Sequence, residues 1–103
     1  MIYKLSPIRS KKYKAWVVSL NCCNCGAPAD DPHHAIGVGE SGAGMTACDL
    51  LIMPMCRGCH TWIHNTPEAW PNQWMWISKT LQRAVKEGIV LSLPELAVSK
   101  SLF

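Results

Sequence analysis

Apolar positions recur at helical spacing near both ends of the chain. Tyr13, Trp16, Val17 and Leu20 fall three or four residues apart and form one face of a helix expected from about Lys11 to Leu20. Ser10 stands where its N-cap belongs. A second stripe, Trp74, Ile77, Leu81, Ala84 and Val85, predicts a helix from Pro71 or Asn72 to Lys86, stopped by Gly88. Between these stripes the pattern breaks into short runs. Asn21 to Pro32 reads as a loop with an acidic turn, Asp30-Asp31-Pro32. His33 to Val38 and Leu50 to Met53 read as short strands, joined by a glycine-rich stretch from Gly37 to Gly44. A further helix is expected from near Arg57 to near Asn65, ahead of Thr66-Pro67. The tail after Ile89 has no strong period, and Pro94 interrupts it. The order is helix, loop, strand, loop, strand, helix, helix: an α+β chain in which two short strands precede a helix.

With 103 residues the chain is expected to be one domain, 1–103. A basic N-terminal helix would occupy 1–20, a compact core 21–66, and a helix with its tail 67–103. A domain of this size buries a modest core, so a metal staple matters to it. Six cysteines are many for the length. The start, Met1-Ile2-Tyr3-Lys4, shows no apolar secretion segment, and no apolar run approaches the roughly 18 residues of a membrane span. The expected setting is therefore a reducing one, the cytoplasm, with no membrane partner, where closely spaced cysteines read as metal ligands rather than disulfides. Net charge is only +3, but Lys4, Arg9, Lys11, Lys12 and Lys14 crowd the first fourteen residues with no acid among them. Such a run is either a solvated helix face or a strip that contacts phosphates. With Arg57, these are the candidate nucleic-acid contacts.

Cys22-x-x-Cys25 and Cys56-x-x-Cys59 have the spacing of a tetrathiolate site. In each pair the short link lets two sulfurs reach one ion, and four thiolates saturate a structural tetrahedral Zn²⁺. Cys23 competes with Cys22 for this role, because Cys23-x-Cys25 is also a tight pair. Cys48 reads as a small core residue.

The four histidines sit in two places, the adjacent pair His33-His34 and the pair His60 and His64. Residues four apart on a helix share a face, so His60 and His64 can meet one ion. Cys59 and His60, about 100° apart on that helix, can face different metals. The alternative is that His60 or His64 replaces a cysteine in a single structural site. On an extended strand His33 and His34 point to opposite faces, so one can bind an ion while the other approaches a substrate.

The string Cys22…Cys25…His33-His34…Asp49…Cys56-Arg57-Gly58-Cys59-His60…His64 resembles an HNH, or ββα-metal, nuclease. More narrowly, Pro32 to Gly39, Gly42-Ala43-Gly44-Met45, Asp49 and Met53-Pro54-Met55-Cys56-Arg57 are similar to phage proteins of the RecA-dependent nuclease (Ref) type and to related uncharacterised phage proteins. The resemblance runs from about Arg9 to Val90. It implies a small zinc-stapled ββα-metal core, treble-clef-like, with flanking helices. It implies His34 as general base, with His33, His60 and His64 holding a catalytic divalent cation (Mg²⁺, Mn²⁺, Ni²⁺ or Zn²⁺). Asp49 stands where the motif usually has Asn, and would brace the loop that holds the base. The implied activity is hydrolysis of DNA phosphodiesters to 5′-phosphate and 3′-hydroxyl ends by a phage or prophage protein in a bacterial host, with a RecA-type filament as a partner. Two departures stand out. Thr46-Ala47-Cys48 replaces a stretch that often carries a basic residue, and only the Lys4–Lys14 strip stands where a longer basic arm is found.

Gly37-x-Gly39-x-x-Gly42 matches a dinucleotide fingerprint by letters, but the chain is too short for a Rossmann unit and no helix clearly opens after it. It reads better as a flexible connection. Trp62, Trp70, Trp74 and Trp76 are read chiefly as core, with base stacking as the alternative. Two rivals to a nuclease follow from the cysteines alone. A non-catalytic treble-clef zinc module binding nucleic acid or a recombination protein needs no histidines, and a redox protein needs reactive thiols instead of bound metal.

Overall fold

The computed structural model describes residues 8–37 and 47–93. Its elements are α1 (Lys11–Val18), β1 (Asp31–His34), β2 (Ile52–Met55), α2 (Arg57–His64) and α3 (Asn72–Lys86), with 3-10 turns at Pro67–Ala69 and Val90–Ser92. The result is a small α+β structure, a two-stranded sheet with three α-helices. Most of the glycine-rich stretch, Lys4 and the tail from Pro94 lie outside the described residues. Among the described residues no helix is long and apolar enough to cross a membrane.

Ser10 caps α1 as expected, its hydroxyl accepting from the Tyr13 N–H at 3.2 Å. Tyr13 and Val17 form the buried face. The helix stops at Val18 rather than Leu20. The Leu20 N–H closes a tighter turn onto the Val17 carbonyl, and the Leu20 carbonyl accepts from Ala29. That second bond draws the chain into the bridge between Asn21 and Pro28, which frames the first cysteine pair.

The strands are antiparallel, with Asp31 opposite Met55, Pro32 opposite Pro54, His33 opposite Met53 and His34 opposite Ile52. Both differ from the sequence expectation. β1 begins two residues earlier, because the two prolines face each other in a two-stranded sheet where neither N–H is required. It ends at His34, and Gly37 then turns the chain at φ +67, where an added Cβ would collide with the Trp70 ring. β2 begins later because Asp49 and Leu50 are held in a turn, with the Leu51 N–H bonded to the Cys48 carbonyl at 2.8 Å.

β2 is buried on both faces. On one, Met53 and Met55 pack with Ala35, Ile63, Ala69, Trp76 and Ile77. On the other, Ile52 packs with Tyr13, Val17, Ala84 and Leu93. One face thus meets α2 and the start of α3, and the other meets α1 and the end of α3. Antiparallel partners share a face, so the same alternation sends His33 toward α2 and His34 toward α1.

α3 ends as predicted. Gly88, at φ +74, donates to the Val85 carbonyl and Ile89 donates to Ala84, which is a Schellman closure. Its buried face, however, is Gln73, Trp76, Ile77, Thr80 and Ala84. Trp74 and Val85, expected inside, are 47% and 58% exposed. Two polar residues took their place because their bonds are satisfied internally. Thr80 Oγ1 donates to the Trp76 carbonyl at 2.8 Å, and Gln73 is clamped as described below.

Candidate metal centres

The sulfurs of Cys22, Cys25, Cys56 and Cys59 converge, all within 4.8 Å of one another. Two local devices bring them there. In the first pair, Cys22 donates to the Ala27 carbonyl at 2.6 Å and Gly26, at φ +82, donates back to Cys22. In the second, Cys56 is the N-cap of α2, and its sulfur accepts from the Cys59 N–H at 3.4 Å. The pairs are held together by the Cys23 N–H on the Pro54 carbonyl (2.8 Å) and by Asp30 Oδ2, which accepts from the Arg57 N–H (2.8 Å).

Cys25 and Cys56 sulfurs lie 3.6 Å apart. Two thiolates on one tetrahedral zinc would lie about 3.8 Å apart, given bonds of about 2.3 Å. The electrostatics also suit a cation. Burial opposes ionisation of Cys22, but N–H groups of Cys25, Cys56 and Asn24 overcome it and bring the thiol down to about 6. The Asn24 amide favours a Cys59 thiolate, yet burial and the neighbouring thiols outweigh it and push Cys59 up to about 12. Cys22 thus ionises readily while Cys25 and Cys59 resist it, unless a cation is shared. Four closely placed cysteines of this kind can bind a structural metal such as zinc. Cys23 stands outside the group. Its sulfur is not among those that converge, so Cys22 and not Cys23 belongs to the cluster, and burial, with the charge of Cys22, pushes the Cys23 thiol up to about 12. Cys48 is half-buried, its sulfur near the Ile8 carbonyl and accepting from the Leu50 N–H.

His33, His60 and His64 form a second group, also with donor atoms within 4.8 Å. Their ring centroids are 4.8, 5.2 and 4.9 Å apart. His60 and His64 come from one face of α2, one turn apart, and His33 reaches them from β1. His33 is buried, and that burial, with the neighbouring imidazoles, pushes its pKa down to about 4 despite the opposing Gln73 bond. His64 is shifted down as well, by burial and then by His60. His33 Nε2 lies 2.9 Å from Gln73 Oε1, and His60 Nδ1 lies 2.9 Å from Asp31 Oδ2.

His34 points the other way. Its Nε2 lies 2.7 Å from Asp49 Oδ1. Asp49 is 1% exposed, and burial alone would raise its pKa. His34, the Ser10 N–H at 2.7 Å, Arg9 at 3.2 Å and Lys14 at 3.9 Å together outweigh burial and hold it below the usual carboxylate range. Asp49 therefore ties His34 to the start of α1.

The basic residues do not form one uniform strip. Arg9 and Lys14 meet at Asp49, with Arg9 also donating to the Ala47 carbonyl at 2.6 Å. Lys12 reaches the Ser92 carbonyl at 3.5 Å, and Lys11 is exposed. Arg57 grips Asp31, at 2.9 and 3.2 Å, and that carboxylate raises its pKa above the already high ordinary value. Of the four tryptophans grouped in the sequence, Trp76 is buried, Trp70 is half-buried and donates to the Ile63 carbonyl, and Trp62 and Trp74 are exposed.

Sequence reasoning missed Asp31 and Gln73. Asp31 was hidden because Asp30-Asp31-Pro32 reads as a turn. A strand begun at Asp31 would have placed it on the His33 face. Gln73 carries no signal of its own in a helical stripe.

Residues 2–90 match the family described as "Protein of unknown function (DUF968)". The chain is 38% identical over 84 residues to the uncharacterized protein YdfU of Escherichia coli (strain K12), an alignment covering 78% of this chain and 24% of that protein. It thus spans about a quarter of the length of this curated relative. No solved structure matches. With nearly the whole described structure inside the matched span, the chain belongs to the DUF968 family.

Proposed function

We propose that this protein is a metal-dependent endonuclease of the HNH, ββα-metal type, acting on DNA phosphodiesters. The observation that carries the reading is the division of labour across β1: three imidazoles converge on one side, and a histidine–aspartate pair stands on the other. The cysteine cluster grips the start of the helix that carries two of those imidazoles, through Cys56 and Cys59, so a structural ion would fix where they stand.

The three imidazoles are a donor set that suits Zn²⁺ or Ni²⁺ by softness, and the harder Mn²⁺ and Mg²⁺ fit the same hydrolytic chemistry with water and phosphate oxygens completing their shells. A divalent cation bound there would neutralise charge on the phosphate and stabilise the leaving 3′-oxygen. Asp49 orients His34 and accepts from its Nε2–H, which leaves Nδ1 as the proton acceptor. His34 then takes a proton from water as the water attacks phosphorus in line. Arg9 and Lys14, beside that carboxylate, and Lys11 and Lys12 on the same helix supply contacts for phosphates along the strand. His33 contributes a neutral ligand, as its buried position demands.

A non-catalytic zinc module would use the cysteines alone, and would have no use for a buried imidazole clustered with two others. DNA as substrate, a RecA-type filament as partner and the cytoplasm of a bacterial host as setting belong to the same proposal. A plasmid-nicking assay across several divalent ions tests it. Nicking by the parent that is lost in His34→Ala supports the reading; parent and variant inactive with every ion, or equally active, count against it.

A further inference from the structure

The histidine cluster contains two hydrogen bonds made through different ring nitrogens. His33 is engaged through Nε2 and His60 through Nδ1. Both partners, Gln73 and Asp31, are held by other groups, so neither is free to adapt to the imidazole.

Gln73 is fully buried. Its amide nitrogen donates to the Ile36 carbonyl at 2.7 Å and to the Trp70 carbonyl at 3.0 Å. Its Oε1 accepts from the Ile36 N–H at 3.0 Å. A flipped amide would set NH₂ against an N–H and oxygen against two carbonyls. The backbone therefore fixes Oε1 as the atom facing His33, and an amide oxygen can only accept. The proton on His33 must sit on Nε2, and the lone pair on Nδ1.

Asp31 lies on the His33 face of β1, two residues earlier in the strand. Its Oδ2 accepts from the Arg57 side chain at 2.9 Å and its Oδ1 at 3.2 Å. The two prongs of the Arg57 guanidinium, one on each oxygen, mark it as a carboxylate. A carboxylate only accepts, so His60 carries its proton on Nδ1 and its lone pair on Nε2.

We propose that Gln73 and Asp31 are the positioning residues of the histidine centre, holding His33 as the Nε2–H tautomer and His60 as the Nδ1–H tautomer so that opposite ring nitrogens turn toward one ion. The choice of partner follows burial. The deeply buried ring receives a neutral acceptor, which adds no charge to the core. The half-exposed ring receives a carboxylate that raises its basicity as a ligand. Arg57, the first residue of α2 and between the second pair of cysteines, shares that carboxylate, so the start of α2 helps to set the tautomer.

The inference rests on the metal reading of the centre, and the test separates the two. Long-range proton–nitrogen NMR of the zinc-loaded chain, with the histidine centre free of added ion, reads each tautomer directly. The parent should show His33 protonated at Nε2 and His60 at Nδ1. Cobalt(II) titration of the same protein reads affinity at the imidazoles. Asp31→Asn and Gln73→Met should each weaken cobalt binding by about 10–100-fold, and Gln73→Met should leave His33 in mixed tautomers. Should Gln73→Met fail to fold, Asp31→Asn, on the half-exposed strand, decides on its own. Cobalt uptake by a parent with the reversed tautomers, or unchanged cobalt affinity in a folded Asp31→Asn, overturns the assignment alone. A parent that takes up no cobalt at its histidines overturns the metal reading and this inference with it.

Discussion

His33 and His34 are neighbours in the chain, yet their Nε2 atoms find partners on opposite sides of the sheet, Gln73 at 2.9 Å and Asp49 at 2.7 Å. Strand alternation alone produces this separation. It buries one imidazole and leaves the other beside charged groups at the start of α1. A slip of one residue in the pairing of β1 with β2 would exchange the two.

The burial of His33 predicts an acid-sensitive fold. His33 has an ordinary value of 6.5 and is pushed down to about 4 by burial. Between these values the unfolded chain binds a proton that the folded chain does not, so stability rises with pH across that window. The contribution is complete above about pH 6.5 and lost progressively as pH falls toward 4. Chemical denaturation at several pH values, with the histidine centre free of added ion, should show this slope. His33→Gln should flatten it. A parent whose stability is level from pH 6.5 to 4 would contradict the burial argument.

The cysteine centre predicts a different failure. Cys56 caps α2 and also faces the cluster. Serine is a good N-cap, so Cys56→Ser keeps the cap and removes one thiolate. A structural zinc in a small domain contributes about 10–16 kcal/mol, comparable to or above the whole stability of about 5–15 kcal/mol. Cys56→Ser should therefore fail to fold, as should the parent after exhaustive chelation. A cooperative melt of the variant with no bound zinc would show that the cluster is not a staple.

Affinity for DNA should fall with salt. Phosphate contacts by Lys and Arg release counterions, and each one removed flattens the logarithmic salt slope by about 0.9. Arg9 and Lys14 also brace Asp49, so their loss would confuse binding with folding. Lys11 and Lys12 are the cleaner pair. Their double replacement by Ala should weaken binding to unrelated sequences alike, and reduce the slope by up to about 2. Binding that is level from low to moderate salt would remove DNA as the ligand of this helix.

The ligand groups were legible because spacing is chemistry. Cys-x-x-Cys twice and His-x-x-x-His on a helix each bring donors together by local geometry, and the structure brings those residues together. What could not be read was long-range. Asp49 and His34 are fifteen residues apart, and Gln73 is forty from His33, so neither contact leaves a local period. The resemblance singled out Asp49, but nothing singled out Gln73. The rotated face of α3 has the same origin. A buried glutamine is admissible only because Ile36, Trp70 and His33 satisfy it, and none of those partners is visible from within the helix. Pro32 misled the strand boundary because its partner, Pro54, is also a proline.

His34 and His64 should fail in different ways. His34 is proposed to move a proton, and among the described residues it bonds to Asp49, on the far side of the sheet from the imidazole cluster. His34→Ala should lose about 10²–10⁴-fold in nicking rate, the usual size of a general-base effect, and keep its affinity for the ion. His64 belongs to the cluster, so His64→Ala should lose the ion as well as the rate. Neither replacement touches the four cysteines, so both variants should melt as cooperatively as the parent. Calorimetric titration with Mn²⁺ or Ni²⁺, run beside the nicking assay, separates the two roles. Loss of the ion in His34→Ala with retention in His64→Ala would reverse the assignment. Parent-like cutting by both variants would mean that this histidine arrangement hydrolyses nothing.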